Sequence, residues 1–325
     1  MTSLSCTNRS TEHPPKKVSV VVPLFNEEGN IRLLSERLDS VLEGIRYDHE
    51  VIFIDDGSTD RTWDALEEVS RLYPKLKAYR FPRNFGHQNA LFAGLEKAAG
   101  DAVISMDGDL QHPPELIPEL ISKWEEGYKI VHTARQDPYS TGILKRTTSR
   151  GFYKFFSVMA GFKMPEGSSD FRLIDRQALC SLFQFQDSSL FLRGAFHWMG
   201  FSSTTVPFTA QERHSGASKY GFTRMIRLAT TASIAYTGKP LHLAIGLGML
   251  TSGFAFIELI YILVQFTLGN TVPGWASILG FSSLLFGLLF IVLGIIGLYL
   301  GDIHKILQNR PRYIISQRTL EKSKQ

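Results

Sequence analysis

The chain has 325 residues, of which 44% are hydrophobic and 20% are charged, and its formal net charge is +4. This length exceeds a single domain of about 200–250 residues, so we expect a second structural part. The small net charge, with no stretch of interleaved basic and aromatic residues, argues against a nucleic-acid-binding protein. Two cysteines are too few for a disulfide framework or for a cysteine zinc site.

The first two thirds of the chain alternate apolar runs with amphipathic stretches. Continuous apolar runs predict buried strands at Val18–Leu24, Glu50–Ile54 and Ala102–Met106. Apolar residues at helical spacing predict helices at Ile31–Leu42, Thr62–Leu72 and Gln88–Ala98. This alternation predicts a mostly parallel sheet with helices on both faces. In such sheets, ligands bind at the carboxyl ends of the strands.

An acidic cluster follows each of the three predicted strands, at Pro23–Glu28, Asp55–Asp60 and Asp107–Glu115. Asp107 and Asp109 are separated by one residue at a strand end. This spacing lets two carboxylates share one Mg²⁺ or Mn²⁺ whose coordination is completed by substrate phosphates. One such pair alone is typical of a turn, but three clusters at successive strand ends favour a binding site. The glycine motifs of dinucleotide-binding and P-loop proteins are absent from the sequence.

Two further polar stretches carry candidate site residues. In Ser168–Arg176, Asp170 and Arg172 alternate along a predicted short strand and therefore share one face. Arg213 and Lys219 flank a glycine turn directly before an amphipathic stretch. A basic loop in that place is suited to contact a lipid headgroup, and an ordinary solvated loop is the alternative.

The last third of the chain contains two long apolar segments. Residues 241–268 contain one charged residue, Glu258, and residues 275–300 contain none. Each segment exceeds the ~20 residues needed to cross a ~30 Å hydrocarbon core. Basic residues flank the pair on both outer sides, so the positive-inside rule predicts a hairpin with both termini in the cytoplasm. Residues 222–236 have opposite apolar and polar helical faces, which predicts a helix in the membrane interface.

These features predict five consecutive parts of the chain. They are a polar N-terminal tail (1–17), an α/β domain (18–220), an interfacial helix (221–239), two transmembrane helices (240–301, with spans 241–268 and 275–300) and a charged C-terminal tail (302–325). Glycine recurs every seven residues from Gly280 to Gly301, a spacing that lets helices pack closely in lipid. We therefore expect a homo-oligomer built through the membrane helices.

The motifs VPLFNEE, IDDGSTD, MDGDLQHPPE, SDFRLIDR and RxxGxSKY occur in this order between about Val18 and Lys219. Together they resemble family 2 glycosyltransferases of the GT-A fold, specifically the dolichyl- and polyprenyl-phosphate sugar transferases. The two apolar segments followed by Arg310–Tyr313 resemble the bacterial undecaprenyl-phosphate glucosyltransferases. The resemblance implies an α/β GT-A fold, a Rossmann-like mostly parallel sheet flanked by helices, with a C-terminal two-helix transmembrane hairpin in the inner (plasma) membrane.

The resemblance also implies roles for individual residues of this chain. The implied donor-nucleotide site comprises Pro23, Phe25, Glu27, Asp55, Asp56 and Asp107. The implied site for the metal and the diphosphate comprises Asp107, Asp109 and Gln111. The implied contacts to the acceptor phosphate or diphosphate are Arg135, Lys145, Arg146, Ser149, Arg172, Arg213 and Lys219, with Lys145 and Arg146 as alternatives for one position. Asp109 and Asp170 are the implied catalytic residues, Asp170 as an orienting group or weak base.

The implied reaction is an inverting, metal-dependent transfer of glucose from UDP-glucose to undecaprenyl phosphate by a homotetramer at the bilayer, with Mg²⁺ or Mn²⁺ and no nucleic acid. GDP-mannose, UDP-N-acetylglucosamine and an aminoarabinose donor remain alternative sugar sources. A processive polysaccharide synthase is the nearest alternative enzyme, but the QxxRW motif of those enzymes is absent. An inactive membrane scaffold is the alternative from another class, and the intact acidic clusters argue against it.

Overall fold

The computed structural model describes residues 16–136, 168–185, 192–209, 239–268 and 274–319. The chain divides into two compact units. One unit contains a sheet with its helices and includes the C-terminal residues from Pro311 onwards. The other contains the two long C-terminal helices up to Arg310.

Within the described residues the first unit contains one eight-stranded sheet. Its strands are β1 (Lys17–Leu24), β2 (Asp48–Asp55), β3 (Leu76–Arg80), β4 (Ala102–Ser105), β5 (Ile130–Gln136), β6 (Ser168–Asp175), β7 (Ser203–Thr209) and β8 (Gln317–Arg318). They lie in the order β7-β5-β6-β4-β1-β2-β3-β8. The pairs β1–β2, β1–β4, β2–β3 and β5–β7 are parallel, whereas β3–β8, β4–β6 and β5–β6 are antiparallel. The sheet is therefore mixed, with its parallel core where the sequence predicts it.

Helices cover both faces of this sheet. They are α1 (Ile31–Glu43), α2 (Thr62–Leu72), α3 (His87–Lys97), α4 (Ile117–Glu125), α5 (Arg176–Leu182) and α6 (Leu192–Trp198), with a 3₁₀ turn at Pro114–Leu116. Val20 and Val22 of β1 pack on the face of α1, α2 and α4, whereas Val21 packs on the face of α3, α5 and α6. Because successive strand residues point to opposite faces, an unbroken apolar run is what a strand buried on both sides requires.

The predicted helices correspond closely to α1, α2 and α3. The apolar side chains of α1 that recur every three or four residues, Ile31, Leu34, Leu38 and Leu42, are buried against the sheet. In the loop before α2, Asp60 accepts a hydrogen bond from the backbone N–H of Thr62 at 3.0 Å, in the manner of a helix-capping residue. The predicted α/β architecture is thus confirmed for this unit.

The second unit contains α7 (Lys239–Thr267) and α8 (Trp275–Leu307). The predicted span 275–300 lies within α8, and the predicted span 241–268 lies within α7 except for its last residue. Among the described residues, Leu284–Leu307 is long and apolar enough to cross a membrane, whereas the apolar part of α7, Ala244–Glu258, is shorter. Side chains such as Met249 (73% exposed) and Phe290 (68% exposed) face outwards in the single chain.

Candidate active site

The parallel strands β1, β2 and β4 end at one edge of the sheet, and the acidic clusters of the sequence lie there. The register of β4 with β6 pairs Ser105 with Arg172. Continuing this antiparallel register beyond the end of β4 brings Asp170 beside Asp107. The Ser105 hydroxyl donates to the main-chain oxygen of Asp170 at 2.6 Å, which holds the two strand ends together.

Three side chains from different elements form a candidate metal-binding group at this edge. His87, Asp107 and Asp170 each offer a ligand atom, and these atoms lie within 4.8 Å of one another. Nε2 of His87 lies 3.5 Å from a carboxylate oxygen of Asp107 and 3.5 Å from one of Asp170. Oδ1 of Asp107 is buried and has no hydrogen-bond partner among the described residues. This oxygen faces Nε2 of His87 at 3.5 Å without a hydrogen bond, and a bound cation would complete such an arrangement.

Asp170 is buried and held by two arginines. Arg193, at the start of α6, donates from Nε and Nη2 to the two oxygens of Asp170, both at 2.8 Å. Arg172 donates to the same carboxylate at 2.9 Å. Burial alone would raise the pKa of Asp170, but the charge of Arg193, the hydrogen bonds from His87 and Arg193 and the charge of Arg172 hold it well below its usual range. Asp170 is therefore a weak base and an effective orienting group.

His87 is the first residue of α3 and is 44% exposed. Burial alone would lower its pKa, but the hydrogen bond to Asp170 and the charges of Asp107 and Asp170 raise it to about 9. At neutral pH a protonated His87 therefore places a positive charge between two carboxylates. A divalent cation at this position would replace that proton.

The turn that follows β4 is anchored to β6. The backbone N–H of Asp107 donates to Nδ1 of His112 at 2.9 Å, and Nε2 of His112 lies 2.7 Å from Oγ of Ser169. Because Nδ1 is the acceptor, a neutral His112 carries its proton on Nε2 and donates it to Ser169. This bridge fixes the orientation of the acidic turn.

The other predicted metal-site residues form a chain leading away from Asp107. Asp109 accepts from the backbone N–H of Gln111 at 3.1 Å, and the side-chain oxygen of Gln111 accepts from Arg135 at 3.3 Å. Leu110, between them, has a φ of +62°, a left-handed conformation that non-glycine residues seldom adopt. Among the described residues, His87, Asp107 and Asp170 form a group that could hold a metal, and the roles of Asp109 and Gln111 as metal ligands stay predictions.

Apart from Asp107, the predicted donor residues lie at the ends of β1 and β2 and in the loops that follow these strands, and a hydrogen bond from Asn26 to Ser58 joins the two loops. Asp55 accepts from the backbone N–H of Ser58 at 2.9 Å and lies 3.2 Å from Arg80. Asp56 accepts from the backbone N–H groups of Phe85 (2.7 Å) and Gly86 (2.9 Å). Both aspartates are buried, and their carboxylates hold the loops in place.

The β1 loop presents an aromatic surface to the same edge. Phe25 is 40% exposed there, whereas Pro23 is buried at the end of β1. The backbone N–H of Glu27 donates to the hydroxyl of Thr62 at 2.9 Å, which ties this loop to the start of α2. An exposed ring beside polar loops can stack on a planar ligand.

The β2 loop lies directly on the loop that leads to His87. Gly57 has a φ of +69°, and a Cβ atom added there would lie 2.4 Å from the carbonyl carbon of Arg83. Only glycine permits both this conformation and this approach. The Asp55–Asp60 cluster and the His87 loop therefore form one packed unit.

Several predicted residues lie outside the described part of the chain. They are Lys145, Arg146, Ser149, Arg213 and Lys219, together with the predicted interfacial helix at 222–236.

Sequence reasoning missed three residues of the group around Asp170: His87, His112 and Arg193. The missed signal for His87 is its position at the end of the loop that follows β3, because β3 was not among the predicted strands. Arg193 carries no such signal, since a short helix in a distant part of the chain brings it to Asp170.

Comparison with known proteins gives a consistent result. The family described as "Glycosyl transferase family 2" matches residues 19–183, about half of the chain. The chain is 37% identical to an uncharacterized glycosyltransferase, YkcC, of Bacillus subtilis, over 92% of this chain and 93% of the relative. It is 35% identical to the SfII prophage-derived bactoprenol glucosyl transferase of Shigella flexneri, over 93% of this chain and 98% of the relative.

The solved structure of glucosyl-3-phosphoglycerate synthase from Mycobacterium tuberculosis, in complex with Mn²⁺, uridine diphosphate and glucosyl-3-phosphoglycerate, is 20% identical in sequence. It superposes with a TM-score of 0.46 over 69% of this chain and 80% of that one. The family match and the identity to full-length relatives agree with the mixed sheet and its acidic edge. The chain therefore belongs to glycosyl transferase family 2 and is a glycosyltransferase with a GT-A-like fold.

Proposed function

We propose that the chain transfers a sugar from a nucleotide-sugar to a polyprenyl phosphate, with UDP-glucose as the preferred donor and undecaprenyl phosphate as the acceptor. The product is a polyprenyl-phosphate-linked monosaccharide. The names of two relatives support this choice. The Shigella flexneri protein is called a bactoprenol glucosyl transferase, and a relative in Escherichia coli (34% identical, 93% of this chain) is called a prophage bactoprenol glucosyl transferase homolog.

The observation that carries the proposal is the charge of the group around Asp107. His87, Arg172 and Arg193 supply three cationic groups at neutral pH, against the two carboxylates of Asp107 and Asp170. A transferase that joins a nucleotide-sugar to a phosphate must bring two anions together, and their mutual repulsion opposes this. A net positive site lowers that repulsion and holds the reacting groups in place.

The site also fits a divalent cation. Asp107 offers a buried oxygen without a hydrogen-bond partner among the described residues, with His87 and Asp170 next to it. A bound Mg²⁺ or Mn²⁺ would supply positive charge to the departing diphosphate. We assign Asp109 and Gln111, in the same turn, to the diphosphate end of the donor.

The proposed chemistry is a single inverting displacement. An oxygen of the acceptor phosphate forms a bond to the anomeric carbon while the bond from that carbon to the diphosphate oxygen breaks, and its electron pair leaves with the nucleoside diphosphate. A phosphate monoester has a second pKa of about 6 and is largely dianionic at neutral pH, so no strong general base is needed. This agrees with Asp170, whose arginine partners suit it to orienting rather than to accepting a proton.

We place the reaction at the cytoplasmic face of the inner membrane. The apolar stretch Leu284–Leu307 supports a membrane anchor, and the acceptor keeps its hydrocarbon tail in the bilayer. Lys145 or Arg146, Ser149, Arg213 and Lys219 are the residues we assign to the acceptor phosphate, together with Arg135. Both termini are assigned to the cytoplasm.

The test uses membranes that contain the full-length chain. They are incubated with undecaprenyl phosphate and, in separate reactions, with labelled UDP-glucose, GDP-mannose and UDP-N-acetylglucosamine, and the lipids are then extracted. We expect label in the lipid fraction with UDP-glucose, none when the acceptor is omitted, and about a hundredfold less when Asp107 is replaced by Asn. Label in a water-soluble polymer would instead identify a processive synthase, and no transfer from any donor would refute the proposal.

A further inference from the structure

The C-terminal segment, Arg312–Thr319, completes the sheet of the catalytic unit. Its strand β8 pairs antiparallel with β3, with Arg80 opposite Gln317. The pairing continues beyond the strand, because the backbone N–H of Ser316 donates to the oxygen of Arg80 at 2.8 Å and that of Thr319 donates to the oxygen of Ala78 at 2.9 Å. The segment thus covers the edge of β3 that faces away from β2.

Two side chains of the segment also hold α3. The ring of Tyr313 stacks on Phe81 with centroids 5.2 Å apart and planes at 17°, and its hydroxyl donates to Glu96 near the end of α3. The guanidinium of Arg312 lies over the ring of Phe92 at 4.4 Å. It also donates to the main-chain oxygen of Phe185 at 2.8 Å. These contacts hold α3 at its middle, through Phe92, and near its end, through Glu96.

A continuous series of contacts leads from Tyr313 to the candidate active site. Phe81, under the Tyr313 ring, contacts Phe85 edge-on with centroids 5.6 Å apart. The backbone N–H of Phe85 donates to Asp56, a predicted donor-binding residue, at 2.7 Å. Two residues after Phe85, α3 begins with His87, whose Nε2 lies 3.5 Å from oxygens of both Asp107 and Asp170.

We propose that the C-terminal segment is a positioning element of the active site, in which Tyr313 acts through Phe81 and Phe85 to set the loop of residues 81–86 and the start of α3. The loop carries the hydrogen-bond donors of Asp56, and α3 carries His87. Donor binding therefore depends on Arg312 and Tyr313, which follow the loop that they support by more than 200 residues in the sequence. The segment lies outside the region matched by the family, residues 19–183.

The first measurement is hydrogen–deuterium exchange of the full-length chain without substrate. Tyr313→Leu keeps an apolar side chain but removes the stacked ring, and we expect exchange in residues 81–92 to be about tenfold faster. Exchange in β1, in the centre of the sheet, reports global folding and should not change. Ile314→Ala is the matched control, because Ile314 is adjacent on the same segment and is 52% exposed. It should leave residues 81–92 as in the wild type.

The second measurement is steady-state transfer from UDP-glucose, and this arm alone rests on the proposed function. Tyr313→Leu should raise the KM for the donor about tenfold with kcat and the acceptor KM within twofold of the wild type. Tyr313→Phe keeps the stacked ring and should restore the donor KM. A merely structural role would reduce the amount of folded enzyme, and hence the apparent kcat, without moving KM.

Each possible result of the two measurements either supports or refutes the role of the C-terminal segment. Unchanged exchange in residues 81–92 of a folded Tyr313→Leu variant would overturn the inference, as would a Tyr313→Phe variant as impaired as Tyr313→Leu. If Tyr313→Leu does not fold, Tyr313→Met replaces it, because it keeps a longer apolar side chain beside Phe81 and still removes the stacked ring. It should still exchange at least about threefold faster in residues 81–92, and no change there refutes the inference. A wild type that does not turn over UDP-glucose refutes the proposed donor, while the exchange experiment still decides the role of the segment.

Discussion

At the scale of single residues, Asp107 and Asp170 differ in the groups that surround their carboxylates. Asp170 is enclosed by Arg172 and Arg193, so its charge is satisfied by the protein itself. Asp107 has a buried oxygen that has no hydrogen-bond partner among the described residues and lies 3.5 Å from Nε2 of His87. The first is suited to orienting neighbouring groups and the second to binding an external cation.

Replacing Asp107 by Asn tests this difference. We expect transfer activity to fall about a hundredfold, corresponding to ~3 kcal/mol of lost transition-state stabilisation. Excess EDTA should cause a similar loss in the wild type. Asp109→Asn is the matched comparison. A cation held by His87, Asp107 and Asp170 predicts a smaller loss in this variant, whereas equal losses would show that both carboxylates of the acidic turn bind the metal.

His132 gives the fold a dependence on pH. It is buried on β5, its ring stacks on His197 with centroids 4.6 Å apart, and neither nitrogen has a hydrogen-bond partner among the described residues. Burial, the charge of Arg172 and the neighbouring His197 lower its pKa to about 3. Below pH 6.5 the unfolded chain therefore binds a proton at His132 that the folded chain does not bind.

We accordingly expect the contribution of His132 to the free energy of unfolding to be fully present above about pH 6.5. As the pH is lowered, the free energy of unfolding should fall by up to about 1.4 kcal/mol per pH unit because of this residue. Urea unfolding at pH 7 and pH 5.5 measures the effect. His132→Phe keeps a ring at the position and should flatten this part of the pH dependence. Identical slopes in the two proteins would show that His132 is not the group responsible.

At the scale of the elements, apolar runs that are buried on both faces were predictable and edge strands were not. The sequence predicts β1, β2 and β4 because each is a continuous apolar segment packed on both sides. The strand β3 (Leu76–Arg80) has two charged residues, Lys77 and Arg80, among its five positions, and the two residues of β8 have no apolar side chain at all. The partner of β8 is also some 237 residues distant in the chain, so no local pattern reports their pairing.

The same limit applies to the site. Asp107 and Asp170 were predictable because each follows or opens a predicted strand. His87 follows β3 and was missed with it, and Arg193 is brought to Asp170 by tertiary packing alone. The roles of Asp55 and Asp56 in holding loops also depend on backbone groups of other segments, which the sequence does not display.

The contact between the β2 loop and the His87 loop gives a prediction at this scale. Gly57→Ala requires a left-handed alanine and a Cβ atom 2.4 Å from the backbone of Arg83, so we expect a loss of at least about 2 kcal/mol in stability. Gly29→Ala is the control, since a Cβ atom at Gly29 would meet nothing within 4 Å. Thermal unfolding of both variants measures the difference. A Gly57→Ala protein as stable as the Gly29→Ala protein would contradict the close packing of the loops.

At the scale of the whole molecule, the two C-terminal helices leave a large apolar surface uncovered in a single chain. Added Cβ atoms at Gly287 and Gly294 would meet nothing within 4 Å. We predict a homo-oligomer, a tetramer by resemblance, in which these positions lie at helix–helix contacts. Replacing both glycines by Ile should reduce the assembly in nanodiscs, as measured by native mass spectrometry. A wild type that is monomeric there would disprove the prediction.

The predicted hairpin has its own test. If α7 and α8 both cross the bilayer, the two termini lie on the same, cytoplasmic side. Reporter fusions at the N-terminus and the C-terminus should then give the same result. Opposite results would show that only one of the two helices spans the membrane, and Leu284–Leu307 would be that helix.

The position of β8 at the end of the chain has a consequence for biosynthesis. Arg80 leaves the ribosome long before Gln317, 237 residues later, which at bacterial elongation rates is a delay of roughly 10–50 s. During this time the edge of β3 has no partner strand and is open to pairing with other nascent chains. The hydrophobic helices are made within the same interval, so the catalytic unit cannot complete its sheet until after they have been synthesised. A recombinant catalytic fragment that ends before Pro311 would remain in this incomplete state, and residues 311–319 would have to be supplied to it to obtain a protein that stays in solution.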